Sequence, residues 1–345
     1  LWVSALYPEL SPNKAEALAR AQEFITRGLF ISTVLSGATL GLVWAAQKKR
    51  LPAMVWVLGV GILITADLAR VDDAFIQTME FADWAGPEPN TRYLTEQQGT
   101  LGPFRVLAMG GDPGMAGSGQ DVKPTVHGIE LAAGHHPNDL ARYRELIGMV
   151  GSGVPANFFT SDGTGLNTAV LSILNVRYVL WPVHQYGGLP LGDPVMASGM
   201  SADQIYEALY EIPTLPRARL VGDAVVLTDE EAVPYILSDQ FRPADEVVLN
   251  EAPEAELPGG PVVGEVEWVE RSTNRMALLV RADKPALLVF AENWFPAWRA
   301  RVGGNDSPVL RANHSLRAGA VPAGESEVEM YFDAGTLRGP LLLSV

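Results

Sequence analysis

GLFISTVLSGATLGLVWAA (residues 28–46), the turn Gln47-Lys48-Lys49-Arg50 and LPAMVWVLGVGILITA (residues 51–66) form the stretch whose reading decides the fold. The first run has 19 residues without a charge, the second 16. At ~1.5 Å of rise per residue, a helix over the first run covers nearly all of a ~30 Å hydrocarbon core. Carrying the second run on to Ala69 admits one charge, Asp67. A segment in lipid must satisfy its own backbone, so both runs are expected to be helical. The four-residue turn makes them an antiparallel hairpin, and Pro52 suits the first turn of the second helix. Trp44 and Trp56 flank the turn, as interfacial aromatics do. Three consecutive bases place that turn on the cytoplasmic side, so the chain from Arg70 onward is expected to be extracytoplasmic. The competing reading is a buried helical hairpin of a soluble protein, where uncharged runs of this length are rare. A signal peptide fits less well, because the bases follow the apolar run.

Charge divides the chain at the same place. The 345 residues carry a formal net charge of −15. Residues 1–69 hold six Lys/Arg against four Asp/Glu, a net of +2, which leaves 19 bases, 36 acids and a net of −17 for 70–345. So acidic a bulk excludes a general nucleic-acid binder, which needs a basic face for phosphates. The absence of cysteine excludes a disulfide scaffold, thiol catalysis and cysteine-ligated metal. Residues 1–27 read as a surface or pre-span helix: Ser11 or Asn13 caps it, and Ala17, Leu18, Ala21, Phe24 and Ile25 recur at helical spacing. It either lies on the outer membrane surface or runs straight into the first span. Opening at Leu1 and stopping at an apolar Leu-Leu-Leu-Ser-Val, the chain is expected to be an internal piece of a longer membrane protein.

Residues 70–250 alternate strands and helices, which implies an extracytoplasmic α/β (α+β) domain. Strands are expected at 103–109, 176–183 and 247–249, helices at 137–149, 166–174, 202–211 and 229–239, and a hairpin over 217–227 turning at Gly222-Asp223. Residues 83–100 and 110–125, rich in Gly, Pro, Asp and Thr, read as loops. Residues 251–261, acidic and proline-rich, read as the linker to a second domain. From 262 to 345 short strands separated by turn signals suggest an antiparallel β-sandwich. The expected fold is thus a membrane α-helical hairpin (28–69), an α/β domain and a C-terminal β-sandwich.

Few motifs carry chemistry. Gly110-Gly111-Asp112-Pro113-Gly114 and Gly117-Ser118-Gly119 lack the Gly-Lys-Ser/Thr that a phosphate loop requires. No G-x-S-x-G elbow anchors a serine hydrolase. His135 and His136 are adjacent and lack a helical partner ligand, so a polar turn is the plainer reading and no metal site is assigned. Asp67, Asp72 and Asp73 gather where the second run ends; such a group holds a divalent ion against lipid phosphate, but solvation is the simpler account. Trp294, Phe295 and Trp298 either stack on sugar rings or plug the end of the sandwich, the second being the ordinary role of aromatics.

Residues 286–322, ALLVFAENWFPAWRARVGGNDSPVLRANHSLRAGAVP, resemble the C-terminal region of the YfhO-like family of bacterial membrane proteins. Three further stretches are similar to that family: Gly134-His135-His136-Pro137 with Leu140, Arg142 and Tyr143; Leu174-Asn175-Val176-Arg177-Tyr178-Val179-Leu180; and Leu215-Pro216-Arg217-Ala218. Ala297, Gly303 and Ser326 depart from the usual Gly, Asp and His of its pattern. The resemblance implies a polytopic, GT-C-type glycosyltransferase-like protein of the bacterial inner membrane. Such proteins move sugar from a polyprenyl-phosphate carrier to a cell-envelope glycan or lipid. The family's acidic catalytic residue lies in an early outer loop, outside this chain, so no catalytic residue is assigned. His135, His136, Tyr143, Trp294 and Trp298 remain as candidate binding residues. The expected partners are the lipid bilayer, a carrier-linked sugar and envelope glycan; no cofactor is evident, and any divalent cation belongs to the full-length protein. The reading from another class is a non-catalytic, membrane-anchored envelope binding or assembly protein.

Overall fold

A computed structural model describes residues 12–50, 52–75, 80–109, 123–134, 140–149, 155–183, 187–201 and 204–337. The chain divides into two compact units, 1–84 and 85–345.

In the first unit, α1 (Pro12–Gln47) and α2 (Ala53–Phe75) are both long and apolar enough to cross a membrane. The pre-span segment is therefore continuous with the first run, one of the two arrangements expected. The helices fold back on each other: a Cβ on Gly59 would stand 3.1 Å from Leu42 Cδ1. Their outer faces are uncovered, with Phe30 70%, Leu40 69%, Met54 75% and Ile62 67% exposed. The hydroxyls of Thr26, Thr33 and Thr39 donate to carbonyls four residues back, at 2.8, 2.8 and 2.9 Å, so these polar groups are satisfied within the helix. Lys49 takes the left-handed conformation that closes the basic turn, and the Arg50 guanidinium lies over the Trp44 ring. A short helix, α3 (Phe81–Trp84), ends the unit.

The second unit begins with α4 (Pro89–Leu101), where a loop was expected. Its face is carried by little more than Leu94 and Tyr93, too sparse to register against polar neighbours; both pack with Phe104 and Tyr178. The helix covers one side of a five-stranded sheet in the order β2–β1–β3–β5–β4. These strands are β1 (Arg105–Ala108), β2 (Glu130–Leu131), β3 (Val176–Trp181), β4 (Met196–Ser201) and β5 (Gln204–Glu211). β2, β1 and β3 run parallel; β5 and β4 are antiparallel additions. On the other side lie α5 (Ala141–Ile147), α6 (Thr168–Ile173) and α7 (Asp229–Ile236), burying Leu146, Val170, Leu171 and Ile236. The helix expected at 202–211 is strand β5. As an inner strand it buries Ala208 and Tyr210 on one face and Leu209 on the other, and this two-sided burial overrides local helix propensity.

The hairpin expected at 217–227 does not form. β6 (Ala218–Val221) and β7 (Asp223–Val226) are one bent segment interrupted at Gly222. Its first half pairs with β11 (Ala286–Asn293), its second with β8 (Glu246–Leu249). The six-stranded order β6–β11–β15–β14–β8–β7, with β14 (Leu310–Ala312) and β15 (Leu316–Val321), therefore begins and ends on the same stretch of chain, and the sheet is curled like a small barrel. Val221, Val247, Leu249, Leu287, Val289 and Ala318 fill its concave side. Gly222 is needed at the bend because a Cβ there would stand 2.1 Å from the Gly260 carbonyl oxygen.

The remaining strands make an antiparallel sheet, β13–β12–β16–β10–β9. They are β9 (Gly264–Arg271), β10 (Arg275–Ala282), β12 (Trp298–Val302), β13 (Asn305–Ser307) and β16 (Gly324–Phe332). Met276, Leu278, Val280, Val328 and Met330 of this sheet meet Ala286, Leu288, Phe290 and Val321 of the curled sheet. The expected sheet-on-sheet core is present. The expected domain border at 251–261 is not: β6, β7 and β8 precede that linker, yet complete the curled sheet. The linker itself is docked, with Leu257 against the barrel interior and Gly260 N donating to Asp223 Oδ1 at 2.9 Å.

Candidate functional site

β11 begins apolar and ends charged. Ala286, Leu288 and Phe290 belong to the core between the sheets, and Glu292 follows at the end of the strand with its side chain 13% exposed. Three chain segments bring arginines to it. Arg105, at the start of β1, donates from Nη1 to the carbonyls of Leu174 (2.9 Å) and Ala291 (2.6 Å), and from Nη2 to Glu292 at 3.3 Å. Arg217, just before β6, donates from Nε to Glu292 at 2.9 Å and from Nη2 to Glu130 on β2. Arg271, ending β9, donates to the other oxygen of Glu130 and lies 3.5 Å from Glu292.

Arg317 on β15 is the fourth arginine. It is 2% exposed, and its guanidinium carbon lies 3.6 Å from the centroid of the Trp298 ring. Its Nε and Nη1 are buried with no hydrogen-bond partner among the described residues. Four arginines thus face two glutamates, Glu130 and Glu292, an excess of two positive charges among the described residues.

Burial pushes the Glu130 carboxyl up, but Arg217, Arg271 and Arg105 outweigh it and hold the group below the ordinary 4.5. Burial also opposes ionisation of Glu292, and Arg105, Arg217 and Arg317 win there too. Burial draws Arg317 down to about 10, against the attraction of Glu292. It stays charged at neutral pH. Both carboxylates are thereby committed as anions and are poorly suited to donating a proton.

A cleft of about 710 Å³ opens over this cluster. Glu130, Arg271, Glu292 and Arg317 supply its charged wall, Phe295 and Trp298 its aromatic wall, and Ser272, Thr273 and Asn293 its neutral polar groups. Phe295, 40% exposed, stacks on Phe332 with centroids 6.1 Å apart, while Trp298 meets Phe332 edge-on at 5.6 Å. Chemically, a guanidinium fork suits a planar carboxylate or a phosphate, and a half-exposed aromatic ring suits the C–H face of a sugar. A second cleft, of about 800 Å³ between residues 156–169 and the end of α7, is lined by no arginine or lysine among the described residues.

Of the residues singled out from sequence, Trp298 lines the first cleft. Trp294 does not: its Nε1 donates to the Val309 carbonyl at 3.3 Å and its backbone N–H to Ser315 at 2.7 Å, so it pins the β11–β12 connection. Tyr143 donates from its hydroxyl to Ala132 and packs on the helix-side core. His135 and His136 lie outside the described residues. Asp67 pairs with Arg70 at 2.9 Å, and no group of three or more His, Asp or Glu placed to hold a metal occurs among the described residues. The arginine–glutamate cluster was not anticipated. The signal was present: Glu292 follows Leu-Val-Phe-Ala, Arg105 follows Phe104 in a buried strand, and Arg317 sits between Leu316 and Ala318. A charge inside an apolar run is costly unless partnered, and so marks a site. No family model, no curated protein and no solved structure matches the chain.

Proposed function

We propose that the chain is the membrane-anchored, extracytoplasmic binding module of a bacterial envelope protein of the YfhO-like, GT-C glycosyltransferase type. In this reading α1 and α2 span the inner membrane with the basic turn inside. The cleft at Arg317 and Trp298 holds an envelope glycan or a carrier-linked sugar for chemistry performed elsewhere in the full-length protein. The observation that carries it is the joining of a half-exposed aromatic wall to a charged wall in one cleft. The uncovered apolar faces of α1 and α2 support the anchoring.

The non-catalytic reading, an envelope binding or assembly protein, draws on one observation of its own. Glu130 and Glu292, the carboxylates of the cleft, are both engaged by arginines. Both readings share the binding role and differ in whether the whole protein transfers sugar.

Two measurements test the common part. The chain has no cysteine, so Val263→Cys, at a position 74% exposed, is a sole reporter thiol. Labelling by a membrane-impermeant maleimide in intact spheroplasts is expected; labelling only after permeabilisation would reverse the topology. Purified chain in detergent micelles should bind bacterial envelope glycans on an array. Absence of binding to any of them would sink the glycan reading.

A further inference from the structure

We infer that the cleft receives its ligand through an oxyanion, a carboxylate or phosphate borne on a sugar, held by Arg317 together with Arg271. The inference rests on the reading of the cleft as a glycan-binding surface and names the class of glycan.

Three observations carry it. First, the cluster is not self-neutralising: Arg105 and Arg217 hydrogen-bond Glu292, Arg217 and Arg271 hydrogen-bond Glu130, and Arg317 feels Glu292 at a distance without a hydrogen bond to either carboxylate. Second, Arg317 is buried on a strand, yet lines the cleft, and two of its nitrogens lack partners. A buried cation in that state is costly unless something completes it. The Trp298 ring offsets part of this cost and fixes the plane of the guanidinium, but a ring face accepts no in-plane N–H bonds. Third, the groups beside Arg317 match a sugar. Phe295 presents an exposed ring, and Ser272, Thr273 and Asn293 offer hydroxyl and amide groups to neutral hydroxyls.

Arg271, with its side chain 31% exposed, supplies the more accessible positive charge. It and Arg317 both line the cleft, one from β9 and one from β15, so an oxyanion entering there meets positive charge from two different sheets. A neutral sugar's hydroxyls would accept hydrogen bonds at the cleft wall but leave its excess positive charge unmatched; a uronate or a sugar phosphate would bring the counter-charge.

The experiment is a titration of the full chain in detergent micelles with glucose, glucuronate, glucose 1-phosphate and inorganic phosphate, read by tryptophan fluorescence and calorimetry. Glucuronate or glucose 1-phosphate is expected to bind about tenfold tighter than glucose. Preference for one of the two identifies the source of the oxyanion, a uronate or a sugar phosphate. Arg317→Met and Arg271→Met should each collapse that preference toward unity, and Arg317→Lys should restore part of it. Melting curves and near-ultraviolet circular dichroism establish that each variant is folded; Arg271→Met, at the more exposed position, keeps the test valid if Arg317→Met unfolds. Equal affinity for glucose and both anionic sugars would overturn the inference while glycan binding on the array stood. Binding of inorganic phosphate with no binding of either anionic sugar would overturn it too, and an array without hits would then remove the glycan reading separately. Persistence of the anion preference in a folded Arg271→Met and a folded Arg317→Met would also overturn it.

Discussion

Arg105 Nη1 donates a 2.6 Å hydrogen bond to the carbonyl oxygen of Ala291, and through it β1 of the mixed sheet is fastened to β11 of the curled sheet. The same guanidinium reaches Leu174 and Glu292, so one buried side chain joins three segments distant in sequence. Removing it strands two carbonyls and part of the charge on Glu292.

Arg105→Met is therefore expected to destabilise residues 85–345 by about 3 kcal/mol, since breaking a buried charged network from one side leaves its partners unpaired. Urea unfolding followed by tryptophan fluorescence measures it. A loss below about 1 kcal/mol would mean that the sheets hold together without this fastening.

Acid should loosen the same junction. Glu130 and Glu292 have folded-state values below the ordinary 4.5, so over the interval between the two values the unfolded chain binds more protons than the folded one. The stabilisation is fully present above 4.5 and is lost as pH falls from there through the depressed values. Unfolding free energy should accordingly be flat from pH 7 to about 5 and decline below, with a shallower decline in Glu292→Gln. An unchanged slope in that variant would dissociate the acid sensitivity from this cluster.

Arg219 is a buried cation of a different kind. It donates from Nη2 to the Pro243 carbonyl at 2.9 Å, its Nε and Nη1 are unpartnered among the described residues, and burial draws it down to about 10. No cleft reaches it among those described. Replacement by an apolar chain of similar length removes a desolvated charge at the cost of one hydrogen bond. Arg219→Met is expected to leave stability unchanged or raise it by about 1–2 kcal/mol in thermal melts. A drop of more than about 2 kcal/mol would show that the cation is needed where it is.

Gly264 opens β9 where that strand passes close to β6. A Cβ there would stand 2.2 Å from the Arg281 carbonyl oxygen and 2.5 Å from Leu220 Cδ1. Gly264→Ala should cost about 2–3 kcal/mol, because backbone has to move to admit the methyl. Gly165→Ala, whose Cβ would meet only Thr160 at 3.7 Å, is the comparison and should cost less than 1 kcal/mol. Equal losses would indicate that the two sheets separate easily at this point.

The elements legible in sequence were those with a strong local pattern. The two apolar runs read correctly as helices because nineteen and sixteen uncharged residues leave little alternative. β10 (Arg275–Ala282) lies in the stretch read as short strands, since alternation between a covered and an open face is a period-two signal. β5 and α4 were misread, because one is buried on both faces and the other buries polar Asn90 and Thr91 beside only two apolar residues, Leu94 and Tyr93. The aromatic residues of the candidate site were visible as a cluster at 294–298. Of them Trp298 and Phe295 line the cleft, and Trp294 proved to be a pin.

By itself the sequence determined where the apolar helices lie, where the acidic part begins and that its last third is built from short strands. These follow from hydrophobic period and charge, which are local. Only the tertiary structure decided that β6 and β7 are one bent strand closing a curled sheet, that residues 251–261 link parts of a single body, and that Arg105, Arg217, Arg271 and Arg317 converge on Glu130 and Glu292. The physical reason is the same in each case. A strand's partner and a buried charge's counter-ion are chosen by packing across long stretches of chain, and no window of neighbouring residues carries that information.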